Sequence, residues 1–190
     1  MATQSNTYIT PEEYLRIERA AETKSEYYQG KMFAMAGASR SHSLIAGNLF
    51  RELGNRLLDR DCEVHATDMR LLVSSAGLYT YPDVMVVCGE PVLADAHNDI
   101  LTNPCLIIEV LSKSTEDYDR GGKFHQYMRI PSLVEYLTVS QSEMLVDQRI
   151  RQPDNSWLTR EIGPHQGLSL PSLGIRLDFA DIYRKVPLNP

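Results

Sequence analysis

The sequence lacks several features that would assign it to a special class of protein. No stretch approaches the roughly 20 consecutive apolar residues that a membrane-spanning helix needs. The first twenty residues contain no basic segment followed by an apolar one, so no secretory signal is predicted and a cytoplasmic location is expected. No repeat, low-complexity stretch or linker divides the chain, and residues 1–190 are predicted to form a single domain.

Cysteine is scarce. The three cysteines, Cys62, Cys88 and Cys105, are odd in number and far apart in sequence. Their spacings are typical neither of a disulfide framework nor of a zinc site. Because Cys88 and Cys105 stand in apolar runs, the prediction is buried, reduced thiols.

Positive charge is also in short supply. The formal net charge is -6, and this counts against a broad nucleic-acid surface, which requires lysine and arginine for phosphate contacts. A local basic strip remains compatible with that total. The hydrophobic content of 43% is sufficient for a substantial core.

The first third of the chain predicts two helices separated by a hairpin. Thr10 and Pro11 are typical of a helix start, and this helix is expected to run to about Ala20. Two short strand-like runs then meet at residues 29–31. A long helix is expected from residue 39 or 41 to about residue 60, since leucines recur there at helical spacing.

The remainder is dominated by strands. They are expected at residues 62–66, 68–74, 82–88, 105–112, 134–140, 143–150 and 157–162, with a helix over 115–130. A tight hairpin is predicted at residues 141–142, and a last helical turn after Asp178. The predicted class is α/β (α+β), with a mixed central sheet flanked by helices.

Two acidic residues stand out in the apolar strands. Asp83 follows Pro82 at the start of one strand, and Glu109 lies late in the next. An isolated buried carboxylate costs several kcal/mol or becomes protonated. If the two strands are neighbours, both acids can meet on one face, where Mg²⁺ or Mn²⁺ would relieve their repulsion. Each acid alone has a simpler explanation: a turn for Asp83, and an arginine partner for Glu109.

At this point the sequence resembles the putative restriction endonuclease family of the PD-(D/E)xK nuclease superfamily. The resemblance runs from about residue 8 to residue 183, and its most specific part is EVLSKST followed by D-x-x-x-K-x-x-x-Y. Further matching stretches are ITPEEYLRIE, KSEYYQGKMFAMAGASRSH and YPDVMVV. The resemblance implies a restriction-endonuclease-like core in which Asp83, Glu109 and the backbone carbonyl of Val110 bind the metal.

The resemblance also implies a catalytic lysine, but in a displaced position. The superfamily places it two residues after the second acid, where this sequence has Leu111. In this family Lys123 on the following helix matches instead, on the same side as Asp119 and Tyr127. The alternatives are Lys113, which is expected to fall in a loop, and a solvated Lys123 paired with Asp119.

Three further residues match family positions. Glu26 resembles an N-terminal superfamily acid that binds a second metal or orients water, but an exposed glutamate flanked by Lys24 is an equal alternative. His42 matches a family histidine, with phosphate contact or helix capping as its expected role. Asp68 matches a position to which no role is assigned.

The function implied is Mg²⁺-dependent hydrolysis of nucleic-acid phosphodiester bonds, with DNA as the expected substrate. The alternative is a catalytically inactive relative that uses the same fold as a binding or accessory module. Residues 143–162 are also expected to form an exposed hairpin that can pair with another chain. A homodimer is expected, since dimers are common in the superfamily and two sites permit double-strand cutting.

Overall fold

The computed structural model describes residues 8–188, which leaves the outermost residues of the predicted domain 1–190 outside the description. The helices are α1 (Pro11–Glu18), α2 (Arg40–Leu57), α3 (Phe124–Tyr127) and α4 (Phe179–Ile182), and a π-helical segment (Tyr118–Lys123) leads directly into α3. The strands are β1 (Ser25–Tyr28), β2 (Lys31–Ala34), β3 (Cys62–Ala66), β4 (Arg70–Val73), β5 (Leu78–Thr80), β6 (Val84–Cys88), β7 (Ile100–Leu101), β8 (Leu106–Val110), β9 (Glu135–Val139), β10 (Val146–Arg151), β11 (Trp157–Ile162), β12 (Leu168–Leu170) and β13 (Ile175–Leu177).

The central element is a six-stranded mixed sheet in the order β11-β10-β9-β8-β6-β3. Strands β8 and β9 are parallel, whereas β6 pairs with β8 and β3 in antiparallel fashion. Leucines of α2 pack with Val84, Val86 and Ile108 on one face. On the other face, Met85 and Ile107 pack in a second core together with Tyr127. The predicted α/β (α+β) class with a mixed central sheet flanked by helices is therefore confirmed.

A second, five-stranded sheet has the order β2-β1-β5-β4-β7. Tyr14 of α1 packs on it, with its ring stacked on that of Tyr27 at 5.0 Å. The hairpin predicted at residues 29–31 joins β1 to β2. Strands β5 and β7 were not predicted, because three and two residues are too few to show a periodic pattern.

The helix boundaries follow local chemistry. The Thr10 hydroxyl accepts a hydrogen bond from the Glu13 amide at 3.2 Å at the start of α1. In α2 the cap is Ser39, which accepts from the His42 amide at 3.1 Å. The helix predicted over 115–130 is shorter and widens into a π-helix at Tyr118–Lys123, a departure that periodicity alone cannot predict.

The prediction of three buried, reduced thiols is wrong for two of them. Cys62 and Cys88 are directly opposed in the β3–β6 register and form a disulfide, and Cys88 is exposed. An apolar run does not reveal which residue lies across the sheet, and Cys88 ends its strand. Cys105 alone is a free, partly buried thiol.

The connection between β9 and β10 is longer than the tight hairpin predicted at residues 141–142, since β9 ends at Val139 and β10 starts at Val146.

Between residues 8 and 188 no helix combines the length and the apolar character required to cross a membrane.

Candidate active site

The two predicted acids come together at one end of β6 and β8. The antiparallel register pairs Val84 with Ile108, so the next positions along the ladder, Asp83 and Glu109, oppose each other. Both share a face with Met85 and Ile107, opposite the face on which the leucines of α2 pack. Asp83 Oδ2 accepts a hydrogen bond from the Val110 amide at 2.8 Å. Both acids are buried, at 9% and 4% exposure.

The surroundings of Glu109 are unfavourable for an ionised carboxylate, because the side chain is buried near other acids. Its Oε1 accepts a hydrogen bond from the Tyr127 hydroxyl at 2.8 Å and lies 3.0 Å from Lys123 Nζ. Burial raises the pKa of Glu109 to about 8, against the lowering effect of Lys123 and with further raising by Asp119 and Asp83. The side chain therefore binds a proton near neutral pH unless additional positive charge is supplied.

Lys123 is the cation at the centre of the cluster. Its Nζ lies 3.0 Å from Glu26 Oε1, 3.0 Å from Glu109 Oε1 and 3.7 Å from Asp119 Oδ1. Burial alone would lower the pKa of Lys123, but the surrounding acids outweigh it and hold that pKa well above its usual range. The ammonium is buried and charged, unlike the solvated lysine of the alternative explanation.

Glu26 reaches the cluster from the other sheet. In addition to Lys123, its Oε1 accepts a hydrogen bond from the Thr80 hydroxyl of β5. Lys24, its neighbour in sequence, turns away and pairs with Asp68. The structure thus brings Glu26 together with Lys123 and Glu109, while Asp68 lies outside the site.

Some contributors were missed or undervalued by the sequence analysis. Asp119 appeared only as a partner for Lys123, yet it is 3% exposed, and burial raises the pKa of its carboxyl while Lys123 opposes the shift. The Tyr136 hydroxyl donates to the Asp119 carbonyl at 2.9 Å. Thr80 lies in β5, which was not predicted, so no feature of the sequence pointed to it. Tyr136 could have been found, because the alternation of side chains in β9 places it on the face of the sheet that carries the site.

His42 extends the site towards the start of α2. Its Nε2 lies 3.2 Å from Asp83 Oδ2. Burial is the largest influence on the pKa of His42 and lowers it, but the hydrogen bond to Asp83 and the charges of Asp83 and Asp119 together outweigh burial, and the net direction is upwards. The capping role belongs to Ser39, because the His42 contribution to the cap is its backbone amide. Its phosphate contact stays a prediction.

Three further positions were considered in the sequence: Lys113, Leu111 and Val110. Lys113 is exposed in the turn after β8, as expected, and lies outside the cluster around Lys123. Leu111, at the position where the superfamily has its lysine, is buried. Val110 donates its amide to Asp83, and its carbonyl as a metal ligand stays a prediction.

The charge balance of the site provides a test of the predicted metal. Four carboxylates (Glu26, Asp83, Glu109 and Asp119) face one lysine and one histidine, so the acids outnumber the cations. Within residues 8–188, no three His, Cys, Asp or Glu side chains are grouped closely enough to hold a metal ion by themselves. The oxygen donors fit Mg²⁺ or Mn²⁺, which commonly take one or two carboxylates and complete their shell with water and phosphate.

Buried acids at the ends of neighbouring strands in a mixed sheet, with a buried lysine on the following helical segment, are the arrangement expected of a restriction-endonuclease-like protein. The fold is similar to a crystal structure from Anabaena variabilis ATCC 29413 of "a putative nuclease belonging to DUF820", with a TM-score of 0.75. The similarity covers 92% of this chain and 97% of that chain at 19% identity, which supports the fold alone.

The sequence supplies the family. Residues 11–180 match Uma2, described as "Putative restriction endonuclease", and the chain belongs to this family. Two uncharacterized proteins of Synechocystis sp. are similar over most of their length. Protein slr1290 is 38% identical over 93% of this chain and 92% of its own, and sll1609 is 40% identical over 85% and 92%.

Proposed function

We propose that this chain is a Mg²⁺-dependent endonuclease that hydrolyses phosphodiester bonds of DNA, with Asp83, Glu109, Lys123 and Glu26 as its catalytic residues. Membership of a nuclease family supports hydrolysis of a nucleic acid. The observation that carries the proposal is the acid cluster itself, in which Asp83 stands opposite Glu109 and Lys123 Nζ lies 3.0 Å from both Glu109 and Glu26, with the pKa of buried Glu109 raised. Such perturbed carboxyl groups concentrate at functional sites.

The metal would be held by Asp83 and Glu109, with the Val110 carbonyl as a further oxygen ligand. When bound, Mg²⁺ supplies Lewis acidity towards the scissile phosphate and lowers the pKa of water in its shell. Asp83 is already positioned for this role by the Val110 amide. Tyr127 holds Glu109 from the opposite side through its hydroxyl.

Lys123 would act as a charged group. Because its pKa is well above the usual range, its amine does not take a proton from water. It donates hydrogen bonds instead, orienting the attacking water and stabilising negative charge on the phosphate in the transition state. Glu26, bonded to the same ammonium, orients water from the other sheet. Attack on phosphorus, with departure of the 3′-oxygen as a hydroxyl, leaves a 5′-phosphate.

The proposal predicts that Glu109→Gln abolishes Mg²⁺-dependent cleavage of plasmid and oligonucleotide DNA. The matched control is Glu135→Gln, because Glu135 is equally buried but lies on the other face of the sheet, bonded to Gln148 and Ser172. Gel assays of purified variants should show loss of cleavage by at least about 100-fold for Glu109→Gln and near-normal rates for Glu135→Gln. Equal cleavage by Glu109→Gln and wild type would remove the proposal.

A second candidate is a catalytically inactive binding module. It is favoured by the contacts of Lys123, whose ammonium joins Glu26 to Glu109 and so places a positive charge between two of the acids. Such a protein would bind nucleic acid and leave it intact in Mg²⁺ or Mn²⁺. Binding by wild type without any cleavage in either metal would support this candidate against the nuclease.

Assembly and location complete the proposal. We expect a homodimer formed through the exposed edge strand β11, which ends the six-stranded sheet and offers free backbone groups for pairing. A monomer in sedimentation velocity would contradict it. A cytoplasmic location is proposed with DNA as substrate, and cell fractionation tests it.

A further inference from the structure

The β1–β2 hairpin has two chemically different faces. Tyr27 and Met32 are paired in register and pack with Tyr14 on the inner face. The outer face carries the alternate pairs, Glu26 with Phe33 and Tyr28 with Lys31. We call these four residues the outer hairpin face. Its first member is the acid bonded to Lys123, so this face borders the acid cluster.

The outer hairpin face carries an aromatic ring and a cation that the fold does not use. Phe33 is 49% exposed although it lies directly across from Glu26, and Lys31 is exposed beside it. Residues 34–38 continue this surface as exposed alanine, methionine and glycine without charge. Phe33 and Lys31 gain little from burial, and their placement beside a catalytic acid requires another explanation.

A second exposed aromatic ring borders the cluster from the opposite element. Tyr118 begins the π-helical segment and is 40% exposed. Its ring lies against Gly122, where an added Cβ would stand 3.0 Å from the ring carbon Cδ2. Burial raises the pKa of Tyr118 to about 12, and the next cause is the negative charge of Glu26. The glycine therefore allows one side of the ring to rest on the helix near Glu26 while the remainder faces solvent.

We propose that Phe33 and Tyr118 stack on unpaired nucleobases and that Lys31 contacts the adjoining phosphate, so that the substrate of this site is a single-stranded nucleic-acid segment. This inference deepens the proposed function and rests on it for the cleavage step. Aromatic rings gain from the flat faces of bases, and those faces are available only where bases are unpaired. An isolated lysine beside a ring matches the alternation of base and phosphate along a single strand.

The net charge of the chain also favours a single-stranded substrate. Tight binding of a duplex requires many lysines and arginines that contact both phosphate backbones, and a net charge of -6 does not favour such binding. Stacking binds single strands with few ionic contacts. A second copy of this chain packed on Phe33 is a poorer occupant, since it would cover Glu26, the acid bonded to Lys123.

The test measures binding apart from cleavage. A fluorescein-labelled 12-nucleotide single strand and a duplex of the same length are titrated with Glu109→Gln protein in Mg²⁺, with anisotropy as readout. We expect the single strand to bind at least about tenfold more tightly, and Phe33→Ala or Tyr118→Ala to weaken it by about fivefold or more. Phe50→Ala is the matched control, because Phe50 is 41% exposed on α2 and carries no part in the site.

One further measurement follows the environment of residue 33 directly. Phe33→Trp should show fluorescence quenching by the single strand above the background of Trp157. Equal affinity for duplex and single strand, or equal effects of Phe33→Ala and Phe50→Ala, would overturn the inference, as would dimer dissociation by Phe33→Ala without loss of binding. Cleavage by the wild-type protein is measured in a separate assay. Binding of the single strand without cleavage would contradict only the proposed nuclease activity. Cleavage that prefers duplex DNA would contradict only the inference of a single-stranded substrate.

Discussion

The acid cluster around Lys123 has a counterpart elsewhere in the molecule in which arginines and aspartates are balanced in number. In this arginine cluster, Arg19 donates to Asp95 at 2.5 Å and to Asp99 at 2.8–2.9 Å, and Arg70 donates to Asp99 at 3.2 Å. Arg70 also donates to the Tyr81 hydroxyl at 2.8 Å. The arginine cluster joins α1 to the loop before β7 and to β4, and each aspartate has a guanidinium partner.

The pKa directions separate the two clusters. The hydrogen bond from Arg19 lowers the pKa of Asp95 and of Asp99. Burial raises the pKa of Glu109 and of Asp119, and the charge of Lys123, which lowers both, does not offset it. In the arginine cluster each aspartate has a cationic partner, as expected for charges that stabilise the fold. The acid cluster has more carboxylates than cations, and a divalent cation would supply the missing positive charge.

The largest expected contrast comes from removing one cation in each cluster. Lys123→Met should lower DNA cleavage by about 100- to 1000-fold, because charge on the transition state loses its donor. Arg70→Met should leave cleavage within about fivefold but lower the free energy of unfolding by about 3–5 kcal/mol, since it strands buried partners. Single-turnover cleavage and urea denaturation measure the two effects. Equal loss of activity in both variants would show that the arginine cluster also serves catalysis.

The pH dependence of stability should also differ in sign between the clusters. The folded pKa of Glu109, about 8, exceeds its ordinary value of 4.5, so its contribution to stability is complete below pH 4.5 and lost as pH rises through 8. In EDTA, the free energy of unfolding should fall by up to about 4 kcal/mol across that range, and Glu109→Gln should flatten the decline. Chemical denaturation at half-unit pH steps measures it. A wild-type profile as flat as that of Glu109→Gln would contradict the assignment.

The acid side of the same profile tests the arginine cluster. The pKa of Asp99 is lowered in the folded chain, so its stabilising effect is present above pH 3.8 and is lost as pH falls further. Asp99→Asn should remove part of this acid-induced loss and leave the decline towards pH 8 unchanged. If Asp99→Asn altered the alkaline decline instead, the two clusters would be coupled.

The smallest expected effect is stabilisation by metal. Millimolar Mn²⁺ or Mg²⁺ should raise Tm by about 2–4 °C in wild type, as expected for about 1 kcal/mol of linked binding in a chain of this size. Glu109→Gln should abolish the shift, whereas Asp99→Asn should retain it because its carboxylate is already paired with arginine. Differential scanning fluorimetry is sufficient. A shift that survives Glu109→Gln would place the metal elsewhere.

Much of the local structure could be predicted from the sequence. Thr10 and Ser39 cap α1 and α2, and residues 29–31 turn the first hairpin, because these signals depend on a few neighbouring residues. The conspicuous carboxylates of Asp83 and Glu109 within apolar strands identified the centre of the site. The six-residue π-helix and the Cys62–Cys88 pairing carried no comparable local signal.

By itself, the sequence determined which segments form the strands of the central sheet, where α1 and α2 begin, and which acids would be costly to bury, since each depends on residue type and short-range periodicity. Only the tertiary structure decided that Asp83 stands opposite Glu109, that Glu26 joins them from another sheet, and that Lys123 points into the cluster. Strand register and the packing of one sheet on another are fixed by contacts between residues far apart in sequence. Such contacts set distances and charge balance, on which the chemistry of the site depends.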